Sequence, residues 1–252
     1  MRHHRPIVLA ALVAASCCIP TYARSEGRVT VGAMLWRHGT NLQVERATDF
    51  DGSDMTQGER AKNWDVIGSG VGLRLSYEFP RLLTLYGEAG TSQATVRDKD
   101  VTDPSQQVNS RGLNGGAYYG VGLQVGDYFS GTGNLFWRMG ASLSAISTGL
   151  DEDVNSSWDY DETKLAVEGK LGSWVQQVGL YGGVRLVHSS ADLKESDRTN
   201  PPGFQIRTTE LKRDGAVELL VGAQTRGTEI SGFTELGMVG TFSATAGMTL
   251  RF

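Results

Sequence analysis

Apolar side chains alternate with small or polar ones through stretch after stretch of this chain. A period of two admits only strands whose two faces meet different surroundings. In WDVIGSGVGLRLSYEF, one face carries Ile67, Val71, Leu73, Leu75, Tyr77 and Phe79, and the other carries Gly68, Gly70, Gly72, Arg74, Ser76 and Glu78. GAYYGVGLQVGDYF sets Ala117, Tyr119, Val121, Leu123 and Val125 against Tyr118, Gly120, Gly122 and Gln124. NLFWRMGASLSAIS sets Leu135, Trp137, Met139, Ala141 and Leu143 against Phe136, Arg138, Gly140, Ser142 and Ser144. The closing stretch, TFSATAGMTLRF, alternates without a break, with Phe242, Ala244, Ala246, Met248, Leu250 and Phe252 on one face. No comparable stretch has helical spacing, so the fold class is all-β.

Strands are expected to begin near Arg28, Trp64, Leu82, Gly116, Leu135, Lys164, Val178, Gly215, Glu229 and Thr241. Each has roughly the 9–11 residues that a tilted strand needs to cross a bilayer. The connections alternate in length. FPRL, GDYFSGTG, SWVQQVG and TRGTE are tight, whereas VERATDFDGSDMTQGERAKN, VRDKDVTDPSQQVNSRGLN, GLDEDVNSSWDYDE and SSADLKESDRTNPPGFQIRTTELKRD are long and polar. Only the last hairpin, through Gly237 to Gly240, is short on the long-loop side. The pattern predicts an antiparallel up-and-down transmembrane β-barrel of about ten strands, with short periplasmic turns and long extracellular loops. Outward aromatics fall at two levels, with Tyr77, Phe79, Trp137 and Phe252 near the short turns and Tyr119 and Phe242 near the long loops. That matches the two interfacial girdles of such a barrel. A soluble lipocalin-type barrel would alternate too, with its apolar face inward; the loop asymmetry and the final Phe252 favour the membrane barrel.

Before the first strand stands MRHHRPIVLAALVAASCCIPTYARS, with a basic start (Arg2, His3, His4, Arg5), an apolar run from Ile7 to about Ile19, and small residues at Thr21 and Ala23. This is the build of a secretory signal peptide. Residues 1–23 are therefore expected to be removed near Ala23, leaving a barrel domain over 24–252. Cys17 and Cys18 are the chain's two cysteines and both lie in this leader, so the barrel is expected to form without disulfides. Ala15-Ser16-Cys17 loosely resembles a lipoprotein processing site but lacks the usual upstream Leu. The formal net charge of -4 gives no basic footprint for a nucleic-acid partner.

In this signal peptide, alternation, loop asymmetry and terminal aromatic, the chain resembles small bacterial outer-membrane barrels of the opacity-protein and adhesion/invasion type. The resemblance implies an outer-membrane location in a Gram-negative-type cell and contact with lipid and lipopolysaccharide. It also implies recognition of Met248, Leu250 and Phe252 by the barrel-insertion machinery. It says little about role, because one barrel hosts adhesins, narrow channels and enzymes. The reading adopted is a surface-exposed structural or interaction role through the extracellular loops, with an extracellular protein as one possible partner. The alternatives are a narrow ion or small-solute channel and a rim-sited hydrolase like the omptins, ten-stranded barrels whose His and Asp residues work at the outer rim.

With the apolar face toward lipid, the polar face lines the lumen. There Arg74, Glu78, Glu88, Arg138, Glu168, Lys170, Arg185, Glu218 and Glu235 are expected to pair, together with Lys164 and Arg251, because isolated buried charges are costly. No cofactor or metal is implied. DFDGSD (Asp49 to Asp54) has oxygen ligands but lacks an EF-hand pattern, and DEDVNSSWDYDE is equally unpatterned. Trp158 and Tyr160 in that second run are expected to be exposed partner-binding aromatics. Of the barrel's two histidines, His188 shares parity with outward Leu186, while His38 shares parity with inward Trp36; the spacing yields no His–carboxylate pair suited to general base catalysis.

Overall fold

The computed structural model describes residues 27–49, 51–55, 63–79, 83–98, 110–129, 133–151, 156–197, 205–225, 227 and 229–252. The leader, both cysteines and the middles of the long connections lie outside these residues. Ten strands follow one another: β1 (Arg28–Thr48), β2 (Asn63–Glu78), β3 (Leu83–Asp98), β4 (Ser110–Tyr128), β5 (Leu135–Asp151), β6 (Ser156–Val175), β7 (Val178–Asp197), β8 (Gln205–Thr225), β9 (Ile230–Met238) and β10 (Phe242–Arg251). Each pairs antiparallel with its sequence neighbours, and β10 closes the sheet against β1 from Gly39↔Phe242 to Thr30↔Arg251. The ring is a closed up-and-down barrel with no free edge strand.

The strands begin at the short-turn end much where the alternation places them, but they run further at the other end. β4, β6 and β8 start at Ser110, Ser156 and Gln205, upstream of the expected Gly116, Lys164 and Gly215. β1 continues to Thr48, and β1 and β8 each have 21 residues. Much of what reads as long polar loop is therefore barrel wall. The reason lies in the two faces. Next to lipid, the outward residues are apolar, as at Leu35, Leu73, Leu171 and Val184. Beyond it the outward face turns polar, with Asn41, Asp65, Gln93, Asp159, Asp161 and Asp192, while the inward face turns apolar, with Leu42, Val66, Ala94, Val96 and Leu193. The strand continues, but the medium outside it changes from lipid to water. On β10, whose 10 residues Phe242–Arg251 lie wholly in the lipid-facing part, a rise of ~3.4 Å per residue at a tilt of ~40° covers about 25 Å, the height of the apolar band of such barrels.

The two last strands are short, with 9 and 10 residues. Their outer hairpin turns through Val239 and Gly240 at φ of 79° and 75°; for a β-branched residue that backbone is strained by about 1–3 kcal/mol. Above the hairpin, β1 pairs directly with β8, from Gln43↔Lys212 to Thr48↔Thr208. The wall thus has ten strands in its lower storey and eight in its upper one. Arg213 sits at the fork, where its Nη1 donates to the Asn41 carbonyl at 2.9 Å and to Thr40 Oγ1 at 3.2 Å and its Nη2 donates to the Gly240 carbonyl. It satisfies backbone acceptors where the hairpin leaves the sheet.

Strand number then decides what fills each storey. About eight strands enclose a space that side chains just fill, and additional strands widen it. In the upper ring, Leu42, Val66, Ala94, Val96, Leu113, Tyr160, Ala191, Leu193 and Leu211 form a continuous apolar core, with Val44, Trp64, Leu150 and Trp158 packed against it. All eight strands contribute to this plug. Tyr160 is 1% exposed, so it and Trp158 are interior packing residues and not the exposed partner contacts that their polar neighbourhood suggests. The acidic residues around them, Asp159 and Asp161, share the outward parity.

The high glycine content has a steric origin. In the lower storey the inward aromatic rings lie opposite glycines on the next strand: Trp36↔Gly70, Tyr86↔Gly122, Tyr118↔Gly90, Phe136↔Gly172, Tyr181↔Gly222 and Phe233↔Gly247. A Cβ on Gly70 would sit 2.7 Å from the Trp36 ring and 2.1 Å from the Thr91 carbonyl; one on Gly122 would sit 2.3 Å from the Tyr86 ring. Absent side chains let large rings lie flat along the wall, and the lumen keeps its width.

Candidate functional site

Below the plug lies a polar chamber of about 620 Å³. Its upper part is lined by Met34, Trp36, His38 and Ile146, and its walls reach the short-turn rim at Arg28, Glu78, Tyr128, Trp174 and Arg251. Met34, Trp36 and Ile146 pack with Tyr118 and Phe233 as a second apolar layer.

The chamber walls carry the inward charges. Arg185 on β7 reaches Glu168 Oε2 at 2.7 Å, Glu218 Oε2 at 3.0 Å and Glu235. Lys170 bridges Glu168 at 2.7 Å and Glu235 at 2.6 Å. Register makes this possible: Glu168↔Arg185 and Arg185↔Glu218 are direct cross-strand pairs, and β9 supplies Glu235. Hydroxyls complete the network, since Thr241 and Ser243 donate to Glu218 and the Tyr181 hydroxyl donates to Glu235 at 3.0 Å. A second cluster joins Arg74 to Glu88, with Arg74 Nε donating at 2.6 Å and the Tyr118 hydroxyl donating to the same carboxylate. The Arg74 guanidinium also lies over the Tyr86 ring, 4.6 Å from its centroid. Such pairing offsets the desolvation that would make isolated charges untenable here.

Three of the expected ion-pair residues are arranged differently, and one of them, Lys164, has no carboxylate within ion-pair distance among the described residues. Glu78 stands at the rim, 3.8 Å from Arg251. Arg138 has no carboxylate within ion-pair distance among the described residues; it donates across the lumen to Gln224 Oε1 at 2.5 Å and stacks its guanidinium 5.2 Å from the Phe136 ring. Parity places a charge in the lumen but cannot say which strand across the ring faces it.

The structure also corrects the expectation that no His–carboxylate pair forms. His38 Nε2 lies 3.2 Å from Glu162 Oε2, both side chains are buried, and the imidazole stacks on Trp36 at 5.5 Å between centroids. The partners are 124 residues apart in sequence. Nearby, Glu162 Oε1, the Tyr160 hydroxyl, Thr148 Oγ1 and Ser189 Oγ are buried without a hydrogen-bond partner. This pair lies between plug and chamber, out of reach of the outer rim. His188 is exposed on the outer face, as its parity indicates, and its neighbour Ser189 points inward. In the Asp49–Asp54 run, Asp51 accepts from the Ser53 hydroxyl and amide, Asp54 pairs with Arg46, and Asp49 pairs with Arg207. Among the described residues no cluster of three His, Cys, Asp or Glu side chains is placed to hold a metal ion.

Sequence reasoning overlooked the phenols Tyr86, Tyr118 and Tyr181, the amide of Gln224 and Glu162. The phenols were legible in principle, since each has inward parity.

The chain matches no family model and no curated protein. Among solved structures it is similar to the outer membrane protein OprG from Pseudomonas aeruginosa, with 11% identity, a TM-score of 0.50, and 90% of this chain and 96% of that one covered. It is also similar to the outer membrane protease OmpT from Escherichia coli, with 10% identity, a TM-score of 0.51 and the same coverage. At such identities the likeness concerns the fold, which is that of outer-membrane β-barrels.

Proposed function

We propose that this protein is a surface-exposed, non-conducting barrel of the outer membrane in a Gram-negative-type cell. Its eight-stranded upper storey and loops act as a platform toward lipopolysaccharide, matrix or another protein. The observation that carries this reading is the apolar plug, to which all eight upper strands contribute. A plug above a chamber that reaches the short-turn rim supports a closed barrel over the narrow-channel reading. A rim-sited hydrolase finds less support, because the His38–Glu162 pair is buried between plug and chamber, away from the outer rim. In planar bilayers the refolded protein is expected to give no discrete conductance steps. Reproducible single-channel steps would overturn the reading in favour of a pore.

The same proposal includes a leader removed near Ala23 and an assembly signal at Met248, Leu250 and Phe252. These three side chains point outward on the strand that closes the barrel, and the Phe252 amide donates to the Val29 carbonyl at 3.0 Å. Deleting Phe252 is expected to leave refolding into detergent intact while sharply reducing the heat-modifiable, inserted form in cells. Tyr77→Ala, which removes another girdle aromatic, should reduce insertion far less. Equal insertion of the two variants would refute the signal.

A further inference from the structure

The five glutamates that line the chamber are all engaged by other cations: Glu78 by Arg251, Glu88 by Arg74, Glu168 by Lys170 and Arg185, Glu218 by Arg185, and Glu235 by Lys170 and Arg185. None is left for Arg138. Its guanidinium is fixed from two sides, by the Gln224 oxygen and by the Phe136 ring, which itself lies 5.7 Å from Trp174. Because Gln224 Oε1 accepts from Arg138, its amide nitrogen must point elsewhere, and that nitrogen is buried with no hydrogen-bond partner. The result is a guanidinium with a full positive charge, and with N–H groups beyond the one given to Gln224, inside a chamber that reaches the short-turn rim. A guanidinium that lines the chamber without a carboxylate beside it is matched by an oxygen anion, which supplies the opposite charge and accepts its N–H groups.

We propose that Arg138 and Gln224 form a binding site for a small oxygen-bearing anion, a carboxylate or a phosphate, admitted from the short-turn side. Arg138 supplies the charge and a planar fork suited to two oxygens. Gln224 holds that fork across the lumen through its side-chain oxygen. The plug keeps the ligand from leaving at the outer end, so the chamber is a one-ended pocket.

The test is calorimetric titration of the refolded barrel in detergent micelles with inorganic phosphate and, separately, with acetate. Saturable one-site binding of at least one is expected; tighter phosphate binding assigns a phosphoryl ligand, and tighter acetate binding a carboxylate. Arg138→Ala should weaken binding by about tenfold or more. Gln224→Glu keeps the side-chain size and gives Arg138 a permanent carboxylate, so it should abolish anion binding while the protein keeps its heat-modifiable migration. Lys194→Ala, in the upper storey, should bind as the wild type does. If the wild type binds neither anion, or if Gln224→Glu binds as tightly as the wild type, the proposal is wrong.

Discussion

Replacing Arg185 with Ala is expected to lower the stability of the refolded barrel by about 3–5 kcal/mol, the range seen when one member of a buried ionic cluster is removed. The guanidinium contacts Glu168, Glu218 and Glu235 from three different strands. Without it, Lys170 still serves Glu168 and Glu235, but Glu218 keeps the hydroxyls of Thr241 and Ser243 and only the more distant charge of Lys164. The cost should therefore come mainly from stranded negative charge and less from lost packing. Adding Glu218→Gln to Arg185→Ala should recover a large part of the loss, because it removes the charge that the first substitution orphaned. Denaturant midpoints in micelles for the two single variants and the double variant measure this directly. Additive losses would show that Arg185 matters through its contact area alone.

Tyr160→Ala should cost a similar amount, about 3–5 kcal/mol for removing a large, fully buried ring that its surroundings cannot collapse to fill. Its location makes the effect different in kind. Tyr160 packs in the upper eight-stranded ring, which is held by its own core, whereas the lower storey also has lipid or detergent around it. The loss should therefore be local. Amide exchange is expected to accelerate in β6 around Tyr160 and in its partners at Thr148 and Leu193, and to stay slow around Lys170 and Arg138. Uniform acceleration through both storeys would mean that the plug and the membrane-embedded wall unfold as one unit.

The sequence by itself determined which face of each strand a residue occupies. A period of two is a local property of the extended backbone, so Arg74, Glu88 and Arg185 were legible as inward, Leu73 and His188 as outward, and the barrel class followed from alternation and loop asymmetry. Only the tertiary structure decided what lies outside and opposite each face. Parity cannot reveal that the surrounding medium changes from lipid to water partway up a strand, so Trp158, Tyr160 and the flanking aspartates read as a loop when they are barrel wall around a plug. Nor can it reveal that a short β9–β10 hairpin lets β1 close on β8, which narrows the ring until side chains fill it. The pairing of His38 with Glu162 comes from closure of the sheet, whereas the three carboxylates around Arg185 come from the register of β6 to β9. Closure brings residues more than a hundred positions apart to one level of the lumen, and it sets that level by register, a relation between strands that no single stretch of sequence contains.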